Sequence, residues 1–271
     1  MFKGFGKTAS MNFSTVILFS RLDAPFIDVC IDGVLNASNK VVLVAYDRLL
    51  DGQEQTGFLN EVMRRYTGKN LEFRVIPLVY EMAQIFPVNP KLIANTRIFL
   101  NFIRKVGFDL IKDTSEYTLF IDGDEVAEPQ KLLRWKNECR TKANSLMLAN
   151  YYYFREPVYR ADRLEYSPAL VRNSSLEALY RKDPLRFINM QHERNDYLIK
   201  PCEKIEEVFF HHYSWARTKE EMLTKVKNWG HRGQRNWQVL VENEFSHEFS
   251  GKDFIHGYNY SRVPDLFDIK L

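Results

Sequence analysis

The chain has 271 residues and a formal net charge of +3 at pH 7, and 45% of its residues are hydrophobic. That length suits one α/β domain, or one domain with an extension, and the apolar fraction is sufficient for a sizeable core. The small positive charge permits an anionic ligand such as a nucleotide, but the chain lacks the basic stripe that is typical of nucleic-acid-binding proteins.

The first half of the sequence alternates predicted strands with predicted helices. Strands are expected at residues 15–20, 40–46 and 71–80 and over the apolar run that starts at Tyr117. Helices are expected from Asp23 and Pro25 onwards, over 53–66, over 90–106 with Gly107 ending the helix, and from Pro129 to about residue 140. This alternation predicts an α/β fold of the Rossmann-like kind, with a mostly parallel sheet flanked by helices.

After residue 140 the alternation ends. Strands are predicted at 145–154, 168–172 and 207–213, and the residues around the second of these look polar and loop-like. Thr218 begins a predicted helix, because Glu221 follows it at capping-box spacing. Residues 231–271 are predicted to form an irregular tail. The organisation expected is therefore a domain over 1–230 and a C-terminal extension over 231–271 packed on it.

A group of acids follows the predicted strand that starts at Tyr117. Asp122 and Asp124 are two residues apart, so an extended backbone directs both carboxylates to one side, with Glu125 next in the chain. Hard oxygen donors in this arrangement suit Mg²⁺ or Mn²⁺. The carboxyl end of a strand is also where open α/β sheets place their ligands. The alternative is an acidic turn that only ends a core strand.

Four motifs, in this order, resemble those of family 2 glycosyltransferases of the GT-A fold. The matching segments are Asp47 after the second strand, the D-x-D-E run from Asp122 to Glu125, the Arg172-Asn173 pair followed by Gln191-His192-Glu193, and the run from His211 to Arg217. The resemblance extends over roughly residues 15–227. It implies a metal-dependent, inverting transfer of a sugar from a nucleotide-diphosphate sugar to an acceptor hydroxyl.

The resemblance also assigns roles to particular residues. It implies that Asp122, Asp124 and His212 hold Mn²⁺ or Mg²⁺, that Asp47, Arg97, Asp122 and Arg217 contact the donor, and that Glu193, with Asp196 beside it, acts as the catalytic base. Structural alternatives remain open. Either histidine of the 211–212 pair could be a core residue, Arg217 and Arg97 could be charges on helix surfaces, and residues 192–196 could be a solvated loop. The aromatic residues 151–154 and Trp215 could stack on a sugar or a base, or belong to the core.

Two further functions fit the same pattern. A nucleotidyltransferase that makes a nucleotide sugar would share the sheet and the acids, but it normally carries a glycine-rich loop after the first strand, and residues 20–26 contain no glycine. A non-enzymatic module that binds sugars or nucleic acid could also keep this fold. A UDP-sugar is the donor that we expect, and the acceptor could be a glycan, a lipid, a protein or a modified nucleic acid.

The cysteines and the apolar runs bear on localisation. Cys30, Cys139 and Cys202 are widely spaced and form no metal-binding pair, which favours a reducing cytoplasm. No apolar run approaches the roughly 20 residues that span a bilayer. Residues 11–20 superficially resemble a signal peptide, but we interpret them as the first strand. We therefore expect a cytoplasmic protein, soluble or peripheral, without stable membrane insertion.

Overall fold

Ten strands in one sheet organise the part of the chain that the computed structural model describes, which is residues 11–78, 94–182, 199–229, 231 and 233–271. The strands are β1 Phe13–Leu18, β2 Val41–Tyr46, β3 Leu71–Ile76, β4 Tyr117–Asp122, β5 Glu125–Ala127, β6 Ser145–Phe154, β7 Tyr159–Glu165, β8 Ala169–Arg172, β9 Cys202–Trp215 and β10 Tyr260–Arg262. The helices are α1 Ile27–Leu35, α2 Thr56–Tyr66, α3 Ala94–Ile111, α4 Pro129–Glu138, α5 Asn173–Lys182, α6 Lys219–Asn228 and α7 Trp237–Glu244, with a short 3-10 helix at Arg21–Asp23.

The order of the strands confirms the predicted α/β class. The main path through the sheet is β10-β7-β6-β8-β4-β1-β2-β3, and β9 joins it beside β6. Strands β3, β2, β1 and β4 are mutually parallel, whereas β8 runs antiparallel to both β4 and β6. The parallel half therefore matches the strand–helix alternation of the sequence, and the mixed half begins where that alternation stops.

Both faces of the parallel half are covered by helices. In β1, Phe13 and Ile17 belong to one hydrophobic cluster, while Val16 and Leu18 belong to another. The first cluster includes side chains of α1, α2 and α4, and the second includes side chains of α3 and α5. Burial on both faces explains why β1 and β2 read as continuous apolar runs in the sequence.

The prediction that Gly107 ends a helix was wrong. Helix α3 continues through it to Ile111. A Cβ atom on Gly107 would lie 2.4 Å from Cγ1 of Val16 and 3.0 Å from Cγ2 of Val44. Gly107 therefore lets α3 approach β1 and β2 closely, and its role is packing rather than helix termination.

The mixed half differs most from the prediction. Residues 159–165, taken as part of a polar loop, form β7, and residues 173–182 form α5. Strand β9 begins at Cys202, five residues before its predicted start, and ends at Trp215, two residues after its predicted end. Helix α6 starts where expected, with the predicted capping box between Thr218 and Glu221.

The C-terminal residues 231–271 are more regular than predicted. They contain α7, and β10 pairs antiparallel with β7 at the edge of the sheet. Trp237 and Val241 of α7 pack in a third cluster with Trp215 of β9 and Met222 of α6. The sequence showed little sign of this because aromatic side chains hold the segment in place by tertiary contacts, which local periodicity does not record.

All three cysteines are free thiols. Within the described ranges, no helix combines the length and apolarity that crossing a bilayer requires.

Candidate functional site

The acidic run lies at the carboxyl end of the parallel half of the sheet. Strand β4 ends at Asp122, Gly123 and Asp124 turn the chain, and β5 starts at Glu125. A Cβ atom on Gly123 would lie 2.9 Å from Cβ of Phe19 and 3.1 Å from Cβ of Asp23. Only glycine allows this close approach, so the turn carrying the acids is fixed against the segment that follows β1.

A cavity of about 920 Å³ opens over these strand ends. Its lining includes Ser20 after β1, Tyr46 at the end of β2, Asp122 at the end of β4, Asp124 in the turn that follows, and His212 of β9. The structure therefore brings together the three residues that were predicted to hold a metal ion. A pocket of this size at the carboxyl ends of parallel strands is the usual place for a ligand in an open α/β sheet.

Asp124 is the centre of a buried ionic cluster. Its Oδ2 accepts hydrogen bonds from Nη2 of Arg217 at 2.9 Å and from Nζ of Lys225 at 3.1 Å. Arg217 also donates to Asp23 at 3.2 Å. Burial alone would raise the pKa of Asp124, but Lys225, His212 and Arg217 hold it well below its usual range. Burial and the Asp124 charge raise the pKa of Asp23 to about 6.

The other oxygen of Asp124 faces His212. The distance from Oδ1 to Nε2 is 3.5 Å. On its opposite side, Nδ1 of His212 lies 3.3 Å from Oγ of Ser167 and 3.9 Å from the Glu165 carboxylate. Burial disfavours the charged ring, yet Asp124, Glu125 and Glu165 raise the pKa of His212 to about 9. The contacts at Nδ1 therefore fix the orientation of the ring, with Nε2 directed at Asp124.

His211 has a different environment. Its Nδ1 lies 2.8 Å from the hydroxyl of Tyr153, and its Nε2 lies 3.2 Å from Glu128. Burial lowers the pKa of His211, with Glu128 opposing that change. His211 is therefore a satisfied core histidine, and of the pair it is His212 that faces the cavity.

Asp124 and His212 fit a divalent cation as a pair. One carboxylate oxygen and one imidazole nitrogen face each other, and the second ring nitrogen has a hydroxyl and a carboxylate nearby, as metal-binding histidines usually do. Within the described residues, no group of three or more His, Cys, Asp or Glu side chains is arranged to hold an ion. Mg²⁺ and Mn²⁺ often bind to one or two protein ligands plus phosphates and water, so this pair suits an ion that arrives with a phosphorylated ligand. Since a coordinating imidazole is neutral, binding would release the ring proton.

Asp122 and Glu125 have different partners. Asp122 Oδ1 accepts a hydrogen bond from Nη2 of Arg104 at 3.1 Å, and about half of its side chain is exposed to the cavity. Glu125 is buried, and its Oε2 accepts the backbone amide of Asp122 at 2.9 Å. Burial raises the pKa of Glu125 to about 7. Glu125 thus shapes the turn, while Asp122 is available to a ligand.

Several other predicted site residues lie elsewhere. Asp47 holds the chain after β3, because its Oδ1 accepts the amide of Leu78 at 2.7 Å. Arg217 is fully buried behind the acids. Arg97 belongs to α3, but its side chain lies outside the described residues, as do Glu193 and Asp196.

The Arg172-Asn173 motif has a structural role. Asn173 Oδ1 accepts from Thr118 Oγ1 at 2.8 Å, and its Nδ2 donates to the carbonyls of Lys112 and Ser115. Arg172 pairs with Glu116. These bonds join α5 to the start of β4, away from the acids.

The charged residues of the cavity that were missed from the sequence include Arg104, Lys225 and Glu165. Arg104 follows Arg97 by seven residues on the same helix, so helical periodicity could have identified it. Lys225 lies one turn beyond the predicted capping box of α6, and only its contacts with Asp124 and Ser214 identify it. Glu165 was missed because β7 was missed.

Comparisons with known proteins give only distant likenesses. No protein-family model matches the chain, and no curated protein matches it. Similar solved structures include a 4-diphosphocytidyl-2C-methyl-D-erythritol synthase from Anaerococcus prevotii, 13% identical with a TM-score of 0.43, covering 80% of this chain and 96% of that one. Another, from Bacillus anthracis, is named as a glucose-1-phosphate thymidylyltransferase and is 10% identical with a TM-score of 0.38, covering 86% of this chain and 96% of that one. Likenesses this remote assign no activity to this chain.

Proposed function

We propose that the protein is a glycosyltransferase that moves a sugar from a nucleotide-diphosphate sugar to an acceptor hydroxyl, with Mn²⁺ or Mg²⁺ as cofactor. The observation that carries the proposal is the pairing of Asp124 with His212, beside Asp122, in a large cavity at the carboxyl ends of β1, β2 and β4. A divalent ion held there would neutralise the leaving diphosphate as a Lewis acid.

The charges around the acids support a diphosphate ligand. Arg104 and Lys225 both line the cavity, where Arg104 donates to Asp122 and Lys225 donates to Asp124. If a diphosphate bound between them, its oxygens would replace the carboxylates as the hydrogen-bond acceptors of Arg104 and Lys225. Arg217, buried behind Asp124, would position that carboxylate. A base for the acceptor hydroxyl is still needed, and Glu193 with Asp196 beside it remains the proposed source.

The loop after β1 favours glycosyl transfer over nucleotidyl transfer. A loop that cradles a triphosphate needs free backbone amides. Here the amide of Ser20 donates to Asp23, that of Arg21 to Gln55, and that of Leu22 to the Ser20 hydroxyl. The Asp23 amide donates to the Ser20 carbonyl. These four amides already donate hydrogen bonds within the protein, so they do not face a phosphate. Asp23 also adds a negative charge to the loop.

Donor hydrolysis tests the proposal. The protein is incubated with UDP-, GDP-, dTDP- and CMP-sugars, with and without Mn²⁺, and released nucleotide is measured. Metal-dependent release from one donor is expected, as is metal-dependent thermal stabilisation by the matching nucleotide. If no donor is hydrolysed and no nucleotide stabilises the protein, the proposal fails. Pyrophosphate release from a nucleoside triphosphate with a sugar phosphate would establish the nucleotidyltransferase instead.

Variants locate the activity. Asp124→Asn and Asp122→Asn are expected to lose donor hydrolysis. Asp124→Asn alters a buried ionic cluster, and if that variant unfolds, Asp122→Asn provides the test. Asp109→Asn is the matched control, because Asp109 is an exposed acid of α3 that pairs with Lys105. Hydrolysis at the wild-type rate by folded Asp122→Asn and Asp124→Asn would contradict the assignment of the site.

A further inference from the structure

One wall of the cavity is aromatic and lies beyond the acids. His256 and Tyr258 have stacked rings, 5.0 Å apart and inclined by 22°. Each ring meets Tyr152 of β6 edge-on, at 5.3 and 6.3 Å. The three residues line the cavity and are called the aromatic wall below. Tyr152 also packs edge-on against His212 at 5.3 Å, so the aromatic wall begins where the candidate metal pair ends.

The loop that carries two of these rings is held by one buried acid. Oδ1 of Asp253 accepts the amides of Ile255, His256 and Gly257 at 2.6, 2.5 and 3.2 Å. Its Oδ2 accepts the amide of Tyr258 at 3.1 Å and the Tyr260 hydroxyl at 3.0 Å. Gly257 has a φ of +73°, which glycine adopts readily. The rings are therefore pre-organised, which lowers the entropic cost of binding a ligand.

A carboxylate accompanies the aromatic wall. Glu165, at the end of β7, lines the same part of the cavity and keeps about a fifth of its side chain exposed. The hydroxyl of Tyr258 hydrogen-bonds to Glu165, and burial, together with the charges of Glu165 and Asp253, raises the pKa of Tyr258. Aromatic faces attract weakly positive C–H groups, and carboxylates accept hydrogen bonds from hydroxyls. Sugar rings present both kinds of group.

We propose that the aromatic wall and Glu165 bind the acceptor and that this acceptor is a carbohydrate. The proposal rests on the proposed function, in which the donor nucleotide occupies the ends of β1, β2 and β4. In the sheet, β6 and β10 lie across β4 from β1 and β2, and Tyr152 of β6 contacts His212, so the aromatic wall is on the side of the metal pair from which a second substrate would approach the transferred sugar.

Saccharide binding by the full chain tests this assignment. Saturation-transfer NMR is recorded with lactose, maltose, cellobiose and chitobiose, in the presence of UDP and the diamagnetic ion Mg²⁺. At least one disaccharide is expected to bind wild type, and His256→Ala/Tyr258→Ala is expected to bind it about tenfold more weakly, which corresponds to about 1.4 kcal/mol. Tyr258→Phe keeps the ring and is expected to keep most of the binding. His247→Ala is the control, because His247 is an exposed histidine of the same segment that is not part of the cavity lining.

Each outcome separates this proposal from the proposed function. No disaccharide binding by wild type, or equal binding by the double variant, overturns the acceptor assignment. Loss of UDP stabilisation in the double variant also overturns it, since the rings would then belong to the donor site. If saccharides bind but no nucleotide stabilises the protein, the transferase proposal fails and the aromatic wall is a carbohydrate site of a different kind. Thermal unfolding checks that the variants fold, and His256→Ala alone, at an exposed position, replaces the double variant if that one does not.

Discussion

Arg217 offers a test of the buried ionic cluster, because Arg217→Met removes the charge and keeps a side chain of similar length. The guanidinium donates to the carboxylates of Asp23 and Asp124 and to the carbonyls of Leu22 and Ser214. Removing one partner of a buried ion pair costs about 3–5 kcal/mol. Lys225 stays on Asp124, and the pKa of Asp23 is already raised, so Asp23 can take up a proton.

Because Lys225 still pairs with Asp124 and Asp23 can become neutral, we expect a loss of unfolding free energy at the lower end of this range, about 3 kcal/mol. For a protein of this size, that corresponds to a fall in Tm of about 6 °C. Thermal and urea unfolding measure it. The control is Arg134→Met, whose pair with Glu207 is about half exposed on both sides and is expected to contribute less than about 1 kcal/mol.

The result that refutes this reasoning is an Arg217→Met protein as stable as the Arg134→Met control. If such a protein also lost its stabilisation by UDP, Arg217 would be a donor-binding residue, as the family resemblance implies, and the buried pairs with Asp23 and Asp124 would contribute little to stability.

Three further substitutions test separate parts of the structure. Gly107→Ala is expected to cost about 1–3 kcal/mol in urea unfolding, because the new Cβ overlaps β1, whereas Gly57→Ala, which has open space around it, is expected to cost nothing. Asp253→Ala is expected to cost about 2–3 kcal/mol and to speed amide exchange in the loop that it holds; unchanged exchange would contradict the role given to its carboxylate. Asp47→Ala is expected to lose about 1 kcal/mol of stability while UDP binding persists, and a selective loss of UDP binding would instead support a donor contact.

The parallel half of the fold could be predicted because a strand that is buried on both faces is apolar throughout, and the sequence shows this directly. Strands β1 and β2 are buried throughout, so both appear as short apolar runs. Strand β7 has no such apolar run. Its residues alternate only weakly, and four of the seven carry charges, because it lies between β6 and the edge strand β10 with much of its surface exposed.

The site could be predicted only where its residues form a local motif. Asp122 and Asp124 are adjacent to a recognisable strand, and His212 ends an apolar run. By contrast, the contact of Arg104 with Asp122 spans 18 residues, and that of Lys225 with Asp124 spans 101. Nothing local marks Lys225 as a partner of the acids, because the packing of α6 brings it there.

The pairing of β5 with β9 has a consequence for the order in which the site forms during synthesis. Glu125 lies opposite His212 in that ladder, across 87 residues of chain. The partners that neutralise Asp124, namely His212, Arg217 and Lys225, are all translated after residue 210. A nascent chain can complete β1 to β4 and form the pair of Arg104 with Asp122 while Asp124 still lacks its counter-charges. Contacts of such long sequence separation form slowly, so we expect ribosome-bound chains that end before β9 to hold the parallel strands without a ligand-binding centre.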